Sequence, residues 1–207
     1  MFWSKSLFNI DIIFLGAGGG NYEASTQNYV KKILNKIKPL AIISRDSDAY
    51  KLYSEFAKFS YDGIDCGFFI NDWYNPPKIN DSYVAVSFDK IDEPRLDISK
   101  KIIRLHHKQF YNKEEFFQQP NTIISDDPKD YLTIYSNAIE THTDRVHACV
   151  ASLAYGIPAR LYFNSPRAKL LDKVIDKDIT KELVKVDSNM INKKKIEQIN
   201  ILKEVIK

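Results

Sequence analysis
Apolar and polar positions along this chain change repeatedly from one period to another, and each change marks an element. Short apolar runs read as strands at residues 10–15, 40–43, 63–70, 83–88, 101–105, 121–125, 132–139 and 161–163. Between them run helical spacings. Tyr29, Ile33 and Ile37 recur every four residues; Ala49, Leu52, Tyr53 and Phe56 trace a second face; Val146, Val150 and Leu153 trace a third. Shorter helical segments are expected near 113–118 and 128–131. After Lys169 the chain reads as helical, and a final stripe of Ile196, Ile199 and Leu202 predicts a terminal helix docked on a domain, with its lysines solvated. Strands alternating with helices through short turns predict an α/β class with mostly parallel sheets. Two prolines among polar residues, Asn75 to Asp81, form the best linker, so the domains are expected at 1–75 and 81–207.

The chemistry concentrates in Thr141 to Lys169. Thr143, Asp144, Arg145, Val146 and His147 occupy the turn from a strand into a helix, and Gly156 with Pro158 stops that helix. A helix start carries unpaired N–H groups and a partial positive charge. A guanidinium there can clamp an oxyanion, an imidazole can carry a proton near neutrality, and Thr143 or Asp144 can cap the turn. Residues two apart leave a helix in different directions, so Arg145 and His147 converge on one ligand only if the first turn curls around it. The plainer reading makes Arg145 a surface charge and His147 a satisfied, half-buried ring.

Other motifs also have both a functional and a plainer reading. Gly16 to Asn21 follows a strand and precedes a helix, the geometry of a phosphate-approaching loop. Asn21 stands where a dinucleotide fingerprint needs its third glycine, and no Gly-Lys-Ser/Thr follows. A tight turn with close backbone packing explains it equally well. Asp46-Ser47-Asp48 spells a metal-binding Asp-x-Asp, but helix capping accounts for both acids. Arg104 to His107 repeats the arginine-x-histidine pattern without a helix start after it, and reads as strand and loop. His142 has no partner at metal spacing.

Composition narrows the class. The 207 residues are 44% hydrophobic and 13% aromatic, enough for a packed core, and a net charge of +3 is too mild to imply nucleic acid. Cys66 and Cys149 match no metal spacing and suggest free thiols in a reducing compartment. Asp11 interrupts the apolar run after Leu7 and Phe8, and no run reaches membrane-spanning length, so a cytoplasmic, non-spanning protein is expected.

The run TDRVHACVASLAYGIPARLYFNSPRAK resembles the C-terminal motif of the polysaccharide pyruvyl transferase family, through Thr143, Asp144, Arg145, His147, Gly156, Pro158, Asn164, Ser165 and Lys169. Val146 replaces the usual leucine, and one extra residue separates Ser165 from Lys169. Gly18, Gly19, Gly20 and Asn21 resemble a Gly-Gly-Gly-Asn motif of the same family, and Arg45-Asp46 its Arg-Asp pair. Asp65 with Phe68 and Phe69 resembles its acid-then-aromatic segment. The resemblance implies two Rossmann-like parallel-sheet domains as in the two-domain, GT-B-type glycosyltransferases, the N-terminal one shortened. It implies transfer of a pyruvyl group from phosphoenolpyruvate to a sugar of a glycan or lipid-linked precursor, with His147 and Arg145 catalytic. Substrate binding would fall to Arg45, Gly18, Gly19, Gly20, Asn21, Thr143, Asp144, Asn164, Ser165 and Lys169. No metal or other cofactor is implied. The competing readings are a nucleotide-sugar glycosyltransferase of similar fold and a non-catalytic module that binds a sugar or an anion.

Overall fold
The computed structural model describes residues 10–107 and 119–207. The helix expected near 113–118 lies outside the described residues. In chain order the first elements are β1 (Ile13–Ala17), α1 (Ala24–Ile37), β2 (Ala41–Ser44), α2 (Ser47–Tyr53), β3 (Phe59–Asp62) and a short α3 (Ile70–Trp73). There follow β4 (Tyr83–Ser87), β5 (Lys101–Leu105), β6 (Thr122–Ile123), α4 (Pro128–Asn137), β7 (Glu140–Thr143), α5 (Val146–Ala154), β8 (Ala159–Leu161) and α6 (Ser188–Ile206). They form two compact units. One takes the chain to Cys66, then Pro166–Val174 and Asn189–Lys207; the other takes Gly67–Ser165 and Ile175–Ser188. The chain therefore passes between units more than once, where the sequence draws one boundary at the prolines.

The first unit is a parallel sheet in the order β1-β2-β3. Its core joins Leu34, Ile42, Ala49 and Tyr53 with the half-buried Phe14 and Val30. The packed face of α1 thus runs through Val30 and Leu34, beside the expected Tyr29/Ile33/Ile37 stripe, and Tyr29 is exposed. The strand expected at 63–70 is a correction: β3 ends at Asp62, and a 3-10 turn follows at Cys66–Phe69. The Ile64 amide donates to Gln198 Oε1 at 2.8 Å instead of to a strand. The terminal helix also differs from expectation. A 3-10 turn occupies Pro166–Leu171, and α6 begins only at Ser188. Its buried residues are Ile191, Lys195, Gln198 and Val205, while Ile196 and Ile199 face solvent. A glutamine that satisfies a buried amide, and a lysine stem, can line a packed face that apolar periodicity alone misses.

The second unit is a five-stranded parallel sheet in the order β6-β5-β4-β7-β8. Its first strand lies in the middle, with β5 and β6 on one side and β7 and β8 on the other, a Rossmann-like order. β4 is buried along its whole length. Tyr83 and Ala85 join Tyr131, Ile134, Tyr135, Ala138 and Ala148 on one face. Val84, Val86 and Phe88 meet Leu96, Ile98, Ile102 and Tyr162 on the other, as a central parallel strand requires. The strand expected at 132–139 is instead most of α4. Asp127 caps it through the Lys129 amide, Pro128 opens it, and Tyr131, Ile134, Tyr135 and Ala138 fall at i, i+3, i+4 and i+7. The true strand before the Thr-Asp-Arg turn is β7.

In α5, Val146, Val150 and Leu153 are buried as expected. Gly156 ends the helix at φ +76°, and an added Cβ there would touch nothing within 4 Å. Gly156→Ala is therefore expected to act through backbone strain alone, lowering stability by about 1 kcal/mol and the melting temperature by roughly 2–4 °C. Calorimetry checks this; an unchanged melting temperature would show that the turn tolerates a side chain.

Candidate functional site
In a parallel sheet wound in both directions from a central strand, ligands bind beyond the carboxyl ends where the winding reverses. Here that point lies between β4 and β7, which pair in register from Val84↔Glu140 to Ser87↔Thr143. The residues just beyond these strands are Phe88-Asp89 and Asp144-Arg145.

The turn after β7 is fixed by two side chains. Thr143 Oγ1 donates to the Ser87 carbonyl at 2.9 Å and accepts from the Arg145 amide at 3.0 Å. Asp144, fully buried, accepts through Oδ2 from the successive amides of Asp89, Lys90 and Ile91 at 2.9, 2.5 and 3.1 Å. Neither residue caps α5. The cap position belongs to Arg145, whose side chain makes no capping bond. Thr143 and Asp144 act one step earlier, tying the loop after β4 to the start of the helix.

That loop delivers Asp89 to Arg145. Arg145 NH1 donates to Asp89 Oδ2 at 2.9 Å, with side chains 31% and 0% exposed respectively. Asp89 also meets two residues at the end of β5. Its Oδ1 lies 3.2 Å from His106 Nδ1, and its Oδ2 accepts from the His107 amide at 3.3 Å. Burial alone would raise the Asp89 pKa. The His106 bond, the His107 amide and the Arg145 charge outweigh it and hold the carboxyl below its ordinary range. His107 stacks on Tyr131 at 4.2 Å and contacts the Tyr135 hydroxyl through Nε2 at 2.7 Å. Burial, then repulsion from Arg145, push the His107 pKa down from 6.5 to about 4. Neutral His107 therefore packs beside a charged Asp89–Arg145 pair. Asp89 escapes a search by motif, and the arginine-x-histidine pattern finds His106 and His107 only to read them as strand and loop; each is among the first polar residues beyond a strand end next to the reversal point.

His147 is the second residue of α5 and is exposed. Asn164 and Ser165 follow β8 in the same unit, one exposed and the other buried. The glycine loop, Arg45 and Lys169 belong to the first unit. There an added Cβ on Gly18 would lie 2.6 Å from both Arg45 Nε and Asp46 Oδ2, so glycine is required by close packing. The Gly19 amide donates to the Tyr22 hydroxyl at 2.7 Å, and that hydroxyl donates to Asp46 Oδ1 at 2.7 Å. Asp46 caps α2 through the Ala49 amide at 2.8 Å. Arg45 NH1 donates to the buried Asp65 at 3.0 Å. An added Cβ on Gly20 would lie 3.3 Å from Arg167 Nε. Asn21 donates to Glu23 at 2.8 Å, and Lys169 pairs with Asp48 at 2.5 Å on the surface.

A family model described as polysaccharide pyruvyl transferase matches residues 2–166, most of the chain. The chain belongs to the polysaccharide pyruvyl transferase family. The match takes in the glycine loop, the Arg45 turn and the whole Thr143–Ser165 segment, and stops short of Lys169. A search of curated proteins gives this pyruvyl transferase family member no match. Among the described residues no helix is long and apolar enough to cross a membrane, and no three His, Cys, Asp or Glu side chains are grouped to hold a metal ion.

Two measurements probe this site as structure. Asp144→Ala leaves three amides without their charged acceptor and is expected to cost more than about 3 kcal/mol in chemical denaturation; a loss below 1 kcal/mol would show that the loop holds itself. Because the folded His107 pKa lies below 6.5, its contribution is whole above pH 6.5 and is lost as pH falls toward about 4. His107→Gln is expected to flatten the fall in melting temperature across that window, and an unchanged slope would exclude His107 as its source.

Proposed function
We propose that this family member transfers the pyruvyl group of phosphoenolpyruvate to two hydroxyls of a sugar in a glycan or lipid-linked precursor, in the cytoplasm and without a metal. The observation that carries the reading is Arg145. It stands at the reversal point of the second sheet and at the start of α5. Among the described residues, its side chain donates one hydrogen bond, from NH1 to Asp89, so the other N–H groups of the fork can meet an oxyanion. Helix-start amides add partial positive charge on the same side. A donor bearing a carboxylate and a phosphate suits such a place. Two parallel-sheet units in one chain also suit a GT-B-type fold, which this reading adopts.

The chemistry balances without a redox partner. A proton added to the enol CH2 makes the methyl group and leaves C2 electron-poor. Two sugar oxygens bond to C2, the bond from C2 to the phosphate oxygen breaks, and phosphate departs. Of the two hydroxyl protons, one balances the proton taken by carbon and the other leaves with phosphate. Exposed His147, in the first turn of α5, is the proton carrier in this scheme. Arg145 binds the donor and steadies the charge on the leaving phosphate. In the first unit, Arg45 with the loop of Gly18, Gly19, Gly20 and Asn21 is the candidate for a further substrate group.

Release of phosphate from phosphoenolpyruvate, followed with and without a panel of glycan acceptors, tests the scheme. Acceptor-dependent release is expected from the wild type, with kcat/KM lowered at least 100-fold in Arg145→Ala and kcat lowered by about 100-fold or more in His147→Ala. A wild type that releases nothing with any acceptor defeats the transfer reading; a His147→Ala variant as active as wild type defeats the assignment of the proton.

A further inference from the structure
We propose that Asp89 is a positioning residue, which orients Arg145 by a single grip on NH1 so that the opposite edge of the guanidinium faces an incoming carboxylate or phosphate. The inference rests on the anion-binding role given to Arg145 above and adds a residue outside the motifs named in the sequence.

Three observations carry it. The first is the asymmetry of the pair. The Asp89 side chain is wholly buried, whereas that of Arg145 is 31% exposed. A solvent-reachable arginine needs no buried acid for its own hydration, and a buried carboxylate is costly unless it is well held. The second is how firmly Asp89 is fixed. Its amide is bound by Asp144, one carboxylate oxygen lies against His106, and the other takes the His107 amide together with Arg145. Anchors from the ends of β5 and β7 leave the carboxylate little freedom, and a fixed acceptor fixes the plane of the fork that meets it. The third is repetition. In the first unit Arg45, also at a strand-to-helix turn, donates NH1 to buried Asp65, which follows the neighbouring strand. A buried acid thus meets NH1 of both motif arginines.

Asp89→Asn keeps the size and the contact with His106 but replaces the charged acceptor. Equilibrium titration of phosphoenolpyruvate by calorimetry is expected to show roughly tenfold weaker binding, about 1.4 kcal/mol. In turnover, the loss is expected mainly in KM. Arg145→Ala is expected to abolish the titration, and in that background Asp89→Asn is expected to leave the residual kcat/KM unchanged. Undiminished binding in Asp89→Asn, or an equal added loss of kcat/KM in the Arg145→Ala background, overturns the proposal. A measurement on wild type covers a variant that does not fold. Nitrogen NMR of the ligand-free protein should resolve separate NH1 and NH2 signals for Arg145, and one averaged signal overturns the grip. Binding and turnover also separate the two readings. Weakened phosphoenolpyruvate binding in Asp89→Asn, with no phosphate release from wild type, sinks the transfer reading and sustains this one. Undiminished binding with normal acceptor-dependent release does the reverse.

Discussion
One carboxylate oxygen collecting three consecutive amides is the interaction on which the geometry of the second unit's candidate site depends. Beyond the end of β4 the backbone has left its ladder, and its N–H groups need other acceptors. Asp144 Oδ2 takes those of residues 89, 90 and 91, while Thr143 takes the Ser87 carbonyl from below. The loop is thereby folded onto the start of α5, and Asp89 arrives beside Arg145. The threonine and aspartate of the motif thus prepare the place where its arginine stands. Without that capture, the acid and the base would sit on two independently moving turns.

The first unit solves the same problem with the same residue types in another order. Arg45 and Asp46 stand at a strand-to-helix turn; the acid caps α2 and accepts from Tyr22, whose hydroxyl in turn takes the Gly19 amide. Gly18 has no room for a side chain because Arg45 and Asp46 lie against it. The glycine run is therefore shaped by the acid and arginine across from it. Burial and the bond to Asp46 raise the Tyr22 phenol pKa well above its usual value, so the hydroxyl stays a donor to Asp46 at any working pH. In each unit an acid sets the turn and a second, buried acid holds the arginine.

Much of this was legible in the sequence because it is local. The strand-to-helix turn at Thr143–His147, its stop at Gly156, and strands at 83–87 and 101–105 follow from periodicity and punctuation that the fold keeps. What was not legible depends on neighbours far along the chain. The apolar residues of LTIYSNAI alternate well enough for a strand; only with Tyr131 and Ala138 added does the helical face of α4 emerge. Residues 63–70 are apolar enough for a strand, yet the Ile64 amide is met by Gln198, more than a hundred residues away. The terminal helix turns its lysine and glutamine inward at positions 195 and 198, against the apolar stripe. Asp89 was hidden, and the two histidines were read as plain strand and loop, for a related reason. Their meaning comes from strand order, which puts the ends of β5, β4 and β7 side by side.

That strand order also bears on how tightly an anion should be held. Asp89 cancels much of the positive charge of Arg145, and His107, neutral through burial and the nearby guanidinium, adds none back. A bare arginine would attract any anion by charge, with little regard to shape. A paired arginine holds an anion chiefly through directed N–H donors and the helix-start amides, so geometry counts for more than charge. In the proposed reaction the same neutralisation would favour release, because a phosphate that had left its carbon would face a modest net field. Under the proposed transfer, the site would bind one anion, break it and let another go, and an arginine of fixed direction and tempered charge would suit that sequence.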